Sequence, residues 1–287
     1  MVGTIVATSC GSAAPPAGAR SGVVAAFYPV AEVARQVAGG RIPVTDLTPA
    51  GAEPHDLEVT AEQVDRIEDA AVVVVLGGGF QPSIEQAARQ HAHRTVELLA
   101  RLPLDAAARA RAERDPHVWL DPVLMREFVP AIRDAITRAD PAHEAEYAHN
   151  AARYEAHLQR LGREFERGLT SCRRRTIVTA HDAFGWLARR YRLTQRGIAG
   201  VSPEQEPDAA RLGELVDLVR RDGLTTVFTE RLVSPRVART LAREAEVRTE
   251  TLDPLETLRD ASRRDGEDYV TVMEANLRKL RVALGCR

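Results

Sequence analysis

The sequence predicts an α/β protein: two βα-sandwich lobes joined by one long rigid helix, with a site in the cleft between them. Three observations carry this. The first half alternates short apolar runs with amphipathic stretches; a long helical period follows Asp140-Pro141; and the alternation then restarts near residue 176. In chain order, 23–27 reads as a strand, 30–38 as a helix and 42–47 as a strand. Residues 60–68 form a helix, with Thr60 as N-cap and Gln63 three positions on, the pattern of a capping box. Residues 71–76 are a continuous apolar run, as in a strand buried on both faces of a parallel sheet. A helix over 82–91 and a strand over 94–98 follow, then a helix over 122–138.

Asp140 suits an N-cap and Pro141 a first helical position. From there Tyr147, Ala151, Tyr154, Leu158, Leu161, Phe165 and Leu169 recur every three or four residues. A helix of about 29 residues would be roughly 43 Å long, too long for a crossover in a small domain, and it reads as a bridge. The second lobe runs strand 176–179, helix 183–190, strand 193–199, helix 207–221, strand 225–228, helix 234–245, strand 247–252 and helix 267–284. The division expected is therefore a leader or tether over 1–22, lobes over 23–139 and 172–287, and the linking helix over 140–171.

Composition sets the class. The chain has 287 residues, 44% hydrophobic and 28% charged, as in a soluble globular protein. A net charge of −2 gives no electrostatic case for nucleic acid, and no apolar run reaches the roughly 18 residues of a membrane span. Small residues precede Cys10, and a Pro- and Gly-rich tether follows it to about Gly22. This resembles a bacterial lipoprotein cleavage site with lipid on Cys10, although the segment before it is short and lacks the basic charge of a full signal peptide. Outside the membrane, Cys172 and Cys286 would be free to form one disulfide.

The chemistry gathers at three histidines. They stand in Glu53-Pro54-His55-Asp56, Asp115-Pro116-His117-Val118-Trp119 and Thr179-Ala180-His181-Asp182; Asp253 follows in Leu252-Asp253-Pro254. Three imidazoles and a carboxylate make a closed four-coordinate site for a divalent transition metal, zinc first. Consecutive members lie roughly 60 to 70 residues apart, so the whole chain must fold around such an ion, unlike a local zinc module. His181 and Asp253 directly follow predicted strands, and His55 follows one through a loop, where open α/β sheets collect ligands. A histidine in a loop is most often a surface or capping residue, so it is the set that carries the argument. His91 and His93 suggest at most a minor surface site, and His143, His149 and His157 do not share one helix face. Gly77-Gly78-Gly79 fits neither phosphate-binding motif and reads as a turn for close helix packing. There is no H-E-x-x-H and no G-x-S-x-G. Four protein ligands leave no open position for an activated water, which favours binding over a zinc hydrolase.

These strings, with Phe27-Tyr28-Pro29-Val30, Ser202-Pro203-Glu204-Gln205-Glu206-Pro207, Phe228-Thr229-Glu230 and Leu252-Asp253-Pro254-Leu255, resemble the zinc- and manganese-binding solute-binding proteins of ABC importers, the ZnuA/TroA-like cluster. The resemblance covers residues 23–284. It implies His55, His117 and His181 as metal ligands, Asp253 as the fourth, and Glu230 as a residue that orients a ligand. It also implies the two-lobed fold, an ABC membrane permease as partner, a monomer and an extracytoplasmic location.

Manganese-preferring relatives typically carry Glu at the third position. His181 there favours Zn2+ over Mn2+ by ligand type. Zinc-specific members often carry a His-rich loop before the second ligand, whereas residues 99–114 contain no His. The function expected is capture of zinc and delivery to the permease, with affinity falling below about pH 6.5 as imidazoles protonate. The alternatives are manganese import, a metal-dependent adhesin lipoprotein and, further off, a zinc hydrolase.

Overall fold

The apolar run after Gly22 opens the first sheet. β1 (Val23–Ala25) leads to α1 (Tyr28–Ala38), β2 (Val44–Asp46), α2 (Ala61–Asp69), β3 (Val72–Val75), α3 (Pro82–His91) and β4 (Thr95–Glu97). The strands pair in parallel in the order β2-β1-β3-β4. The four valines of β3 are all buried, which is why that strand shows no alternation. The capping box of α2 is present in both directions, with Thr60 Oγ1 accepting from Gln63 N and Gln63 Oε1 accepting from Thr60 N. These details come from a computed structural model, which describes residues 21–205, 207–258 and 260–287, without the side chains of Asp260 and Ala261. Cys10, its tether up to residue 20 and Glu206 lie outside the described residues.

Residues 99–114, read as a loop from sequence, contain a short helix, α4 (Ala106–Ala112), capped by Asp105 accepting from Ala108 N. α5 (Pro122–Ala139) follows; Asp121 caps it and Pro122 opens it. The bridge is α6 (Glu144–Thr170), whose 27 residues span about 40 Å. It begins after a separate 3-10 turn at Pro141–His143, so the expected single helix from Asp140 is broken there. Its buried face is Tyr147, Ala151, Tyr154, Leu158, Leu161, Phe165 and Leu169, the predicted stripe, together with Gly162.

The second lobe runs β5 (Thr176–Thr179), α7 (Gly185–Arg190), β6 (Thr194–Gly197), α8 (Ala209–Arg221), β7 (Thr226–Thr229), α9 (Arg236–Glu244), β8 (Arg248–Thr251), α10 (Asp260–Arg264) and α11 (Tyr269–Leu284). Its strand order is β6-β5-β7-β8, again parallel. Both lobes thus have one topology, and in each the chain reverses direction across the sheet between the first and third strands. That reversal opens a crevice at the strands' carboxyl ends.

The bridge helix packs on α1 and α5 of the first lobe and on α11 of the second. One apolar core runs from the first sheet through α6 to Phe184, Leu252, Tyr269 and Leu280; a smaller one lies under α8 and α9. Cys172 and Cys286 form a disulfide that ties the end of α6 to the chain's last turn. Among the described residues, no helix is long and apolar enough to cross a membrane.

Candidate metal centre

Each histidine of the set reaches the interlobe cleft from a different loop, and each is held by a carboxylate. In Glu53-Pro54-His55, the proline keeps the preceding residue extended, so a side chain two positions upstream can reach the following amide. Glu53 Oε1 accepts from His55 N at 3.0 Å. Asp115-Pro116-His117 repeats the device. Asp115 Oδ1 takes both the His117 amide at 3.1 Å and its ring Nδ1 at 3.0 Å. His181 follows β5 and is gripped across the crevice by Glu230, which follows β7: Oε1 accepts from the His181 amide at 3.2 Å and Oε2 from Nδ1 at 2.7 Å. Glu230 thereby sets the ring's orientation, with Nδ1 as its donor and Nε2 turned to the cleft, the nitrogen that would bind an ion once deprotonated.

The three imidazoles converge, but the carboxylate that meets them is Glu256. His55, His117, His181 and Glu256 each offer one donor atom, all within 4.8 Å of one another. Glu256 Oε1 lies 3.4 Å from His55 Nε2, 3.2 Å from His117 Nε2 and 3.2 Å from His181 Nε2. The His117 and His181 Nε2 atoms are 3.4 Å apart. A tetrahedral shell with bonds of ~2.0–2.1 Å has edges of about 3.3–3.4 Å. The edges from Glu256 to the three imidazoles and the His117–His181 edge fall near that length, and the whole set lies within 4.8 Å.

Asp253, the expected fourth donor, does not join this cluster. Its Oδ1 accepts from Leu255 N at 2.8 Å, and its Oδ2 pairs with Arg231 Nε at 2.8 Å. Its backbone is bracketed by Asn276, whose Oδ1 accepts from Asp253 N at 3.0 Å and whose Nδ2 donates to Asp253 O at 2.7 Å. The strand-end rule points to Asp253, but the chain turns again at once. Leu255, fully buried, has φ 57°, and that left-handed step brings Glu256 into the cleft. The signal for Glu256 was only its place three residues on, in Asp253-Pro254-Leu255-Glu256.

Electrostatically the centre is charged and buried. Burial opposes a charge on His181, but hydrogen bonds with Glu230 and Glu256 outweigh it and raise its pKa to about 10. His117 is raised too, burial being outweighed by Asp115 and Glu256. Burial pushes the Glu256 pKa up, yet its hydrogen bonds with the three histidines hold it well below the carboxylate range. Burial, then repulsion from Glu256, lifts Glu53 to about 7. Three neutral imidazoles and one carboxylate would leave a divalent ion at formal +1, and the buried Glu230 stands behind His181 to offset it.

The remaining candidates lie apart. His91 Nδ1 pairs with Glu68 Oε1 at 2.7 Å on the surface, and His143 Nδ1 with Asp140 Oδ2 at 2.7 Å. His93 and His149 are exposed and His157 half-buried. In the glycine turn after β3, all three residues have positive φ. Glu85 accepts from Gly79 N at 3.0 Å and from Gln81 N at 3.3 Å, so a carboxylate already fills the place a phosphate would take.

Residues 23–283 match the family described as zinc-uptake complex component A, periplasmic. Zinc-binding lipoprotein AdcA of Streptococcus pneumoniae is 35% identical over 274 residues, 90% of this chain, which spans 55% of that relative's length. The high-affinity zinc uptake system protein ZnuA of Bacillus subtilis is 34% identical over 280 residues, covering 91% of this chain and 87% of that protein. The Zn(II)-bound ZnuA-like domain of Streptococcus pneumoniae AdcA superposes with a TM-score of 0.80 at 35% identity, over 92% of this chain and 99% of that one. The laminin-binding protein Lmb of Streptococcus agalactiae, described as having adhesin and metal-transporting activity, gives 0.83 at 31% identity over 92% and 99%.

Proposed function

The chain belongs to the family of zinc-uptake complex component A, a family of solute-binding proteins rather than enzymes, and from that premise we propose that it captures Zn2+ outside the cytoplasm and delivers it to the permease of an ABC importer. The convergence of the four donors supports this most directly: three imidazoles and Glu256, with donor atoms all within 4.8 Å of one another, suit zinc. With imidazole supplied by His181 at the third position, zinc is preferred over manganese by ligand type and by the order of metal affinities. All four positions are protein-held, so no place is left for a reactive water.

In this reading residues 23–139 and 172–287 are the two jaws and 140–171 the helix between them. His55 and His117 come from the first jaw, His181 and Glu256 from the second. Glu230 and Asp115 fix two of the rings, so that little side-chain freedom is lost when the ion arrives. The Cys172–Cys286 disulfide supports an oxidising, extracytoplasmic setting, and lipid on Cys10 would tether the protein to a membrane surface. Metal analysis tests the assignment. One zinc per chain is expected, lost in His181→Ala and retained in His157→Ala; equal retention by both variants would refute the cluster. The likeness to Lmb supports a second reading, adhesion. It predicts binding to immobilised laminin, and no binding at micromolar protein would dismiss it.

A further inference from the structure

We infer that zinc reaches and leaves its site by a single route, past His55 and Glu53 and out through the cavity beneath the 197–205 loop. This rests on the zinc reading above and concerns rates rather than affinity. Burial picks the open side of the cluster. The side chains of His117 and His181 are 0% exposed and that of Glu256 2%, while His55 is 10% exposed. Among the described residues, one cavity is lined by the donor Glu256 and another by Glu53 and Ala180, beside His55 and His181 in sequence. The one behind Glu256, between Arg231, Asp253 and Thr257, holds about 10 Å³. That is the space of about one water.

The other holds about 330 Å³ and reaches the cluster through Glu53 and Ala180, near neighbours of His55 and His181 in sequence. That is many times the ~10–15 Å³ one water needs, enough for an ion with part of its hydration shell. Apart from Glu53, Glu204, Gln205 and Ser234 its wall is apolar, so it offers a cation few partners. One of its two carboxylates, Glu53, has its Oε1 3.9 Å from His55 Nε2. An ion leaving the cavity thus meets Glu53 and His55 before any buried donor.

The same geometry gives a place to the Ser202-Pro203-Glu204-Gln205 string, which has no part in the donor cluster. Pro203, Glu204 and Gln205 line the cavity. The loop before them is fastened to the His181 segment: Ala199 N donates to Ala180 O at 2.8 Å, Asp182 N to Gly200 O at 2.8 Å, and Gly197 N to Asp182 Oδ1 at 2.7 Å. Leu232 to Ser234 also line it and follow Glu230 in the chain.

A conduit alters both rate constants together, whereas a ligand alters the equilibrium. Stopped-flow zinc association and chelator-driven dissociation on the full chain separate the two. Ser234→Trp and Glu204→Trp place bulk in the cavity at exposed positions. Each is expected to slow both rates by about tenfold while Kd stays within about threefold. Glu53→Gln is expected to slow association. If both tryptophan variants bind zinc with unchanged rates, the route lies elsewhere. A raised Kd without slowing of both rates would make the cavity part of the binding site instead. Failure of the unsubstituted protein to bind zinc would sink the zinc reading itself, a separate outcome.

Discussion

At the scale of single residues, His181 has the sharpest consequence. Its pKa is raised from the ordinary 6.5 to about 10, burial being outweighed by Glu230 and Glu256. The metal-free protein therefore holds it as imidazolium at neutral pH, and zinc must displace a proton. A raised histidine pKa stabilises the metal-free fold fully below about 6.5, and that stabilisation is lost as pH rises towards about 10. Zinc affinity moves the other way over the same window. It should climb by about tenfold per pH unit for each proton displaced. Calorimetry in buffers of different ionisation enthalpy should show proton release at pH 7, and affinity that is flat above pH 7 would refute it. This moves the expected loss of binding from below pH 6.5 to a slope extending well above it. Glu230→Gln should weaken zinc by about 10–100-fold, because the ring loses the partner that orients it. The three histidines were legible because Glu-Pro-His and Asp-Pro-His are local devices, and because His181 closely follows a strand. Glu256 was not, because its position depends on a left-handed Leu255 that no local residue preference announces.

At the scale of elements, the turn after β8 joins the lobes. Trp119 of the first lobe donates Nε1–H to Pro254 O at 2.8 Å, and Gly51 N donates to Thr257 Oγ1 at 2.9 Å. Asp253 and Arg231 brace the same turn, and Arg231 Nη1 also reaches Glu267 Oε2 at 3.3 Å. Arg231→Ala leaves a buried carboxylate without its ion-pair partner. It should cost about 1–3 kcal/mol in unfolding free energy and weaken zinc binding through Glu256. A variant as stable as the parent would show that the brace is not needed. The regular elements were legible from sequence because parallel strands buried on both faces read as apolar runs and α6 carries an unbroken period. α4 and α10 escaped, being only seven and five residues long. The break before α6 escaped as well: residues 141–143 wind more tightly than the α-helix that the Asp-Pro start suggests.

At the scale of the molecule, a core that runs continuously from one lobe through the bridge helix to the other resists wide hinge opening, since separating the lobes would expose it. Movement at the cleft then falls to the loops around it. The Cys172–Cys286 bond closes 114 residues, and replacing both cysteines by serine should cost about 2–5 kcal/mol while leaving zinc stoichiometry unchanged. Zinc at about a thousandfold over its Kd should add about 4 kcal/mol, seen as a melting temperature higher by about 8 °C. The central claim is that the whole chain folds around one closed site of three imidazoles and the Glu256 carboxylate. X-ray absorption at the zinc edge, on the parent and on Glu256→Gln and Asp253→Asn, tests it most directly. Four light-atom ligands at ~2.0–2.1 Å with imidazole scattering are expected. That shell should change in Glu256→Gln and persist in Asp253→Asn. A shell altered by Asp253→Asn and untouched by Glu256→Gln would contradict it.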